Sequence, residues 1–190
     1  FSATERSGFR VEHLAGVMLV DAGFIHVDDL EIVTPHSAVS MPRMHINGEG
    51  WGEYKEYINE VNMDVALEHS TLSSNDIAYF APSLREWGVV LRDIDATFVG
   101  TVADFEAALD GVKVGDDSHI DATAHITGLP EWRTANYVVG VKNMHLTADD
   151  LNDILGSVLK KPLPAKATEI INRMEWVDMR ATFGGRWDSF

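Results

Sequence analysis

The 190-residue chain contains no cysteine. Disulfides, thiolate zinc sites and a cysteine nucleophile are thereby excluded. Positive charge is scarce: 15 Lys and Arg stand against 30 Asp and Glu, for a formal net charge of −15. Nucleic-acid binders present a basic footprint, so nucleic acid is not an expected partner. A general attraction to anionic membrane surfaces is not expected either. No apolar run reaches the roughly 18–20 residues of a membrane helix, and no signal-peptide pattern is visible. The chain opens at Phe1 without an initiator Met, as expected for a processed or excised piece of a longer protein. Hydrophobic residues make up 45%, which argues against disorder.

What is present is alternation with period 2. Val61, Met63, Val65 and Leu67 alternate with polar residues. So do Ile94, Ala96 and Phe98; Ile120, Ala122, Ala124 and Ile126; and Val177, Met179, Ala181 and Phe183. Each group predicts a strand with one apolar and one wet face. The 137–141 stretch, with Val139 and Val141, is more uniformly apolar and is expected to be buried on both sides. Shorter strands are expected at 9–14, 17–20, 24–27, 30–33 and 38–41. Turn signals stand at Asp21-Ala22-Gly23, Gly48-Glu49-Gly50 and Gly115-Asp116-Asp117.

Helices are few. Asn75 or Ser74 is expected to cap a short one through Phe80, ended by Pro82. Thr147 opens a second, to about Leu159, in the capping-box pattern Thr147-Ala148-Asp149-Asp150. A third is expected over 165–174, with Ile170 and Ile171 facing inward.

The chain also repeats itself. A shift of 74 lays 61–65 on 135–139 and Leu72-Ser73-Ser74-Asn75-Asp76-Ile77 on Leu146-Thr147-Ala148-Asp149-Asp150-Leu151. At a shift of 85, Ala96-Thr97-Phe98 matches Ala181-Thr182-Phe183. The expected organisation is N-terminal strands over 1–59, a first repeat over 60–133 and a second, incomplete one over 134–190. Such units bury their faces against neighbouring repeats.

Reactive chemistry is thin. His119, Asp121 and His125 share one strand face, but His119 and His125 are about 20 Å apart along an extended chain, too far for one ion. The pairs Asp28-Asp29, Asp116-Asp117 and Asp149-Asp150 lack a spaced calcium loop and are expected in turns and caps. Gly48-Glu49-Gly50-Trp51-Gly52 lacks the Lys-Ser/Thr of a phosphate loop and is expected to connect strands. No catalytic residue, metal or cofactor is expected. Trp51, Trp87, Trp132, Trp176 and Trp187 are expected as hydrophobic anchors near strand ends.

Several motifs, in order, resemble the TamB/AsmA-like translocation and assembly family of diderm bacterial envelopes. They are Phe1-Ser2-Ala3 with Ser7-Gly8-Phe9, Leu30-Glu31-Ile32-Val33-Thr34-Pro35-His36-Ser37, Asp76-Ile77-Ala78-Tyr79-Phe80-Ala81-Pro82, Ile126-Thr127-Gly128-Leu129-Pro130 and Leu146-Thr147-Ala148-Asp149-Asp150-Leu151. The resemblance implies a mainly β fold: a curved, mostly antiparallel sheet forming a β-taco or repeating β-groove, with two or three short crossover helices. It implies a long, inner-membrane-anchored, periplasm-spanning protein whose apolar groove holds and conducts phospholipid acyl chains. Neighbouring repeats of the same chain and outer-membrane assembly proteins are the implied partners. On this reading the apolar strand positions named above line the groove. Two readings from other classes stand beside it. One is a closed β-sandwich acting as a protein-binding scaffold for outer-membrane protein assembly; the other is a metal-dependent hydrolase.

Overall fold

The computed structural model describes residues 3–4, 8–79, 88–115, 117–131, 133–159 and 164–186. Two short strands, β1 (Ala3–Thr4) and β2 (Arg10–Val11), pair with each other. All the others belong to one nine-stranded antiparallel sheet. They are β3 (His13–Asp21), β4 (Phe24–Val33), β5 (Ala38–Asn47), β6 (Asn62–Ser73), β7 (Val90–Gly100), β8 (Asp104–Val114), β9 (Ser118–Thr127), β10 (Asn136–Thr147) and β11 (Trp176–Arg186). Their spatial order is their sequence order, from β3 at one edge to β11 at the other, so the sheet is an open meander. The mainly β, antiparallel architecture expected from the alternation is what the chain adopts. The closed sandwich is not: among the described residues no second sheet comparable to this one exists.

Among the described residues, three short α-helices lie in two of the long connections, and a 3-10 turn (Glu53–Lys55) lies in the β5–β6 connection. Helix α1 (Ser74–Ile77) sits between β6 and β7; α2 (Ala148–Leu159) and α3 (Ala165–Arg173) sit between β10 and β11. Four strands of the large sheet therefore precede each helical connection. Ser73, rather than Asn75 or Ser74, caps α1, accepting a hydrogen bond from the Asn75 N–H at 3.2 Å. Thr147 caps α2 as expected, accepting from the Asp150 N–H at 3.2 Å. Ile171 is buried, but Ile170 is 61% exposed, because α3 lays only one narrow stripe against its surroundings. Phe80, Pro82, Pro162, Asp116, Trp87, Trp132 and Trp187 lie outside the described residues.

The two strands expected at 24–27 and 30–33 are one strand, β4. Asp28 and Asp29 form no turn; Asp29 takes a left-handed conformation (φ 50°) where the β3–β4 register slips. Aspartate tolerates that conformation better than most residues. Further slips cross the sheet at similar heights: Leu67/Ser70 in β6, Leu109/Val112 in β8, Val141/Asn143 between β9 and β10, and Val141/Met144 between β10 and β11. Pro42, in the middle of β5, falls where the β5–β6 register is interrupted between Ala38 and Arg43. A proline has no N–H for a ladder, so an interruption is where an inner strand tolerates one. Bulges bend a strand and raise its twist, and a line of them is the usual way of curving a sheet.

The fold buries little. The accessible surface is 11985 Å², whereas a compact 21.0 kDa chain exposes about 9,000 Å². Among the described residues the buried apolar ones are few and scattered, including Val27, Val61, Ile94, Val112, Val114 and Leu146.

Candidate functional site

The register shows how the alternating residues combine. Residues opposed across a sheet point to the same side. One rung crosses all nine strands: Met18, Val27, Met44, Val65, Phe98, Ala107, Ala124, Val139, Phe183. Another runs from Leu67 through Ala96, Leu109, Ala122 and Val141 to Ala181. Met63 with Ile46, Ile126 with Phe105 and Tyr137, Ile120 with Met144, Met179 with Met144 and Val177 with Leu146 extend the same side. Ile94 opposes Ser70 there and is 3% exposed. Val61 stands just before β6 and is 2% exposed.

Apart from Val61, which precedes β6, the apolar positions singled out in the alternating strands and at Val139 and Val141 therefore share one face, and β3, β4, β5 and β8 add residues to it. Phe98 stacks on Phe105 with ring centroids 4.3 Å apart. Strand β8 escaped the sequence reading because its pattern, Phe105-Ala107-Leu109, skips a residue at the bulge by Gly111 (φ 60°) before resuming at Val112 and Val114. The two expected short strands in 24–33 hid their joint contribution for the same reason. The 137–141 stretch is not buried on both sides: Val138 is 51% exposed, and Gly140 shares its face.

The opposite face is polar. Histidines there meet acids of adjacent strands: His13 with Glu31, His45 with Asp28, His69 with Asp93, His125 with Asp104 and His145 with Asp178. His119, Asp121 and His125 are not brought together. His119 meets Asn143, Asp121 accepts from the Gly111 N–H, and His125 pairs with Asp104. His69 (φ 46°) sits in a bulge, its backbone N–H held by Asp95 at 2.8 Å. Its pKa is raised, first by its hydrogen bond to Asp93 and then by the charges of Asp95 and Asp93. The pKa of Asp93 is lowered by its hydrogen bonds with Lys113 and His69.

A row of small residues also crosses the polar face, from Ala66 through Thr97, Ala108, Thr123 and Gly140 to Thr182. Shallow depressions of about 500 and 590 Å³ lie along it. They follow from missing side-chain volume; Glu106 and His125 border the first, and Glu68, His69, Asp95 and Asp110 the second. The apolar face is the more distinctive surface, by its extent.

The helical junctions complete the site's frame, and they repeat. The Ser37 hydroxyl donates to Asp76 at 2.6 Å and accepts from the Ser73 N–H at 3.0 Å. The Ser118 hydroxyl donates to Asp150 at 2.6 Å and accepts from the Thr147 N–H at 3.0 Å. Phe98 opposes Val65, and Phe183 opposes Val139, 74 residues further on.

Trp51 packs near Tyr54 at 5.7 Å in the β5–β6 connection, and Trp176 lies 6.3 Å from His145 at the start of β11. Both are more than half exposed.

No family model, curated protein or solved structure matches the chain.

Proposed function

We propose that the apolar face holds phospholipid acyl chains, without catalysis and without a cofactor. The observation that carries this reading is the uninterrupted apolar rung from Met18 to Phe183 across an open sheet. Apolar surface gains about 25 cal/mol per Å² on leaving water, and acyl chains satisfy such a face without specific polar contacts. The order of family-like motifs supports a further step: a segment of a periplasmic, inner-membrane-anchored envelope protein that passes lipid between the two membranes. Neighbouring repeats would continue the face, and outer-membrane assembly proteins would be partners of the whole protein.

The test is native mass spectrometry of the gently purified chain, together with Phe98→Asp. Bound phospholipid is expected on the wild type. A carboxylate among acyl chains costs several kcal/mol, so the variant should fold and lose its lipid. Thr97→Asp, on the polar face, should keep it. A lipid-free wild type, or normal lipid occupancy in folded Phe98→Asp, would refute the reading.

A further inference from the structure

The apolar face is not uniform along its inner strands. On the helical side of the bulges its residues are sealed: Ile94 is 3% exposed, Val112 2%, Val114 6% and Leu146 7%. Helix α2 reaches this end of the face, where its Ile154 lines a small cavity of about 180 Å³ with Val90 and Val114. The serine–aspartate hubs hold both helical connections there. On the other side of the bulges the same face opens. Leu109, at the β8 slip that leads to Val112, is 39% exposed. Phe105, Ala107, Ala124 and Val139 are half-buried.

The open part ends again at the opposite rim. Val61 and Ala135, 74 residues apart, stand just before β6 and β10 and are 2% and 1% exposed. The connections that carry them are tied through the β7–β8 turn. The Ala103 N–H donates to the Ile58 carbonyl at 2.8 Å, and the Gly128 N–H donates to the Ala103 carbonyl at 2.7 Å. Toward β4 the face closes as well, for Val27 is 8% exposed between Met18 and Met44. What remains over β6–β10 is a strip of three rows, marked on β8 by Phe105, Ala107 and Leu109. Rows two residues apart along a strand make this strip about 14 Å high.

Acyl chains gain free energy only from apolar surface that stood in water beforehand. Lifting α2 to admit a chain would expose as much apolar surface as the chain then covers, with no net gain. We infer that acyl chains lie only in the strip between the bulges and the β7–β8 turn, and that Ile94, Val112, Val114 and Leu146 form a permanent core that lipid does not touch. The inference rests on the reading of this face as a lipid surface and narrows it. Ile94, one of the alternating positions expected to line the groove, belongs to the core instead. The bulges are the boundary, since the exposure of β8 changes between Leu109 and Val112.

The test is NMR of the deuterated chain, with protonated Ala, Ile, Leu and Val methyl groups, loaded with dioleoylphosphatidylcholine. Nuclear Overhauser contacts from the acyl methylenes should reach Ala107, Leu109, Ala124 and Val139, and should be absent at Ile94, Val112, Val114 and Leu146. Two variants check the division by native mass spectrometry and circular dichroism. Leu109→Asp should keep the fold and lower lipid occupancy at least about tenfold, because a carboxylate is costly among acyl chains. Val112→Ala should lower the melting temperature and leave the lipid occupancy of the folded protein unchanged. Lipid contacts at Val112 or Leu146 as strong as those at Leu109 would overturn the inference and leave the lipid reading standing. So would loss of lipid from folded Val112→Ala, or normal occupancy in Leu109→Asp. A wild type that takes up no lipid would overturn both.

Discussion

The junction of β6 with α1 and the junction of β10 with α2 are built from the same parts and carry different loads. In each, a serine hydroxyl bridges the cap N–H and an aspartate of the first helical turn. At the first junction Asp76 is 7% exposed and accepts from Thr34 as well, at 2.5 Å. At the second, Asp150 is half-buried. Helix α1 has 4 residues, whereas α2 has 12. The hydrogen-bonded hub is thus compatible with connections of very different length. It anchors the chain where a strand leaves the sheet and leaves the rest of the connection free to vary. Loops of different length cost only slightly different closure entropies, so such variation is tolerated.

The comparison breaks first at the aspartates. Asp76→Ala strips a buried hub of its acceptor and should cost about 3 kcal/mol, since bonds to a charged group contribute about 1.5–3 kcal/mol each. Asp150→Ala, with a more exposed carboxylate, should cost about half as much. Urea denaturation measures both, and equal losses would mean that burial does not separate the junctions. The two phenylalanines come next. Phe98 is half-buried and stacked on Phe105, while Phe183 is 51% exposed. Phe98→Ala should cost about 2–3 kcal/mol, and Phe183→Ala less than about 1 kcal/mol by its smaller burial. Matching losses would show that the last strand is covered in solution.

The caps give a smaller effect. Ser73→Ala and Thr147→Ala should each cost about 1 kcal/mol. A melting temperature unmoved by Thr147→Ala would remove the repeat's central marker.

The smallest effect is a pH dependence that belongs to one copy alone. His69 stands 74 residues before Asn143, which does not titrate. The folded pKa of His69 is raised by Asp93 and Asp95. Its contribution is therefore complete below the unfolded histidine pKa of about 6.5, and is lost as pH rises through the folded value. His69→Gln should slightly flatten the stability profile as pH rises above the unfolded histidine value. An NMR titration of His69 that gives an unshifted or lowered value would show that the Asp93 contact does not persist.

Much of this was legible in the residues. Period-2 alternation located four of the large sheet's strands, β6, β7, β9 and β11, with their faces, because one wet side imposes it. Thr147 and its aspartates declared the start of α2. The shift of 74 set Val65 on Val139 and the shift of 85 set Phe98 on Phe183; the register, which the sequence did not state, opposes each valine to its phenylalanine. What escaped had a common cause. A bulge inserts one residue and inverts the phase of the pattern, so β8 lost its signature at Gly111 and β4 read as two strands at Asp28-Asp29. The partnership of Ser37 with Asp76, 39 residues apart, left no local mark at all.

By itself, then, the sequence determined which side of β6, β7, β9 and β11 is apolar and where α2 begins, because these follow from neighbours within a few residues. The tertiary structure decided the rest. Strand order and register aligned separate half-faces into one rung from Met18 to Phe183. The same pairing left β3 at an edge with both of its sides in water. Alternation states only that a strand has two faces; hydrogen bonding between strands distant in sequence determines which faces meet and which edge remains open.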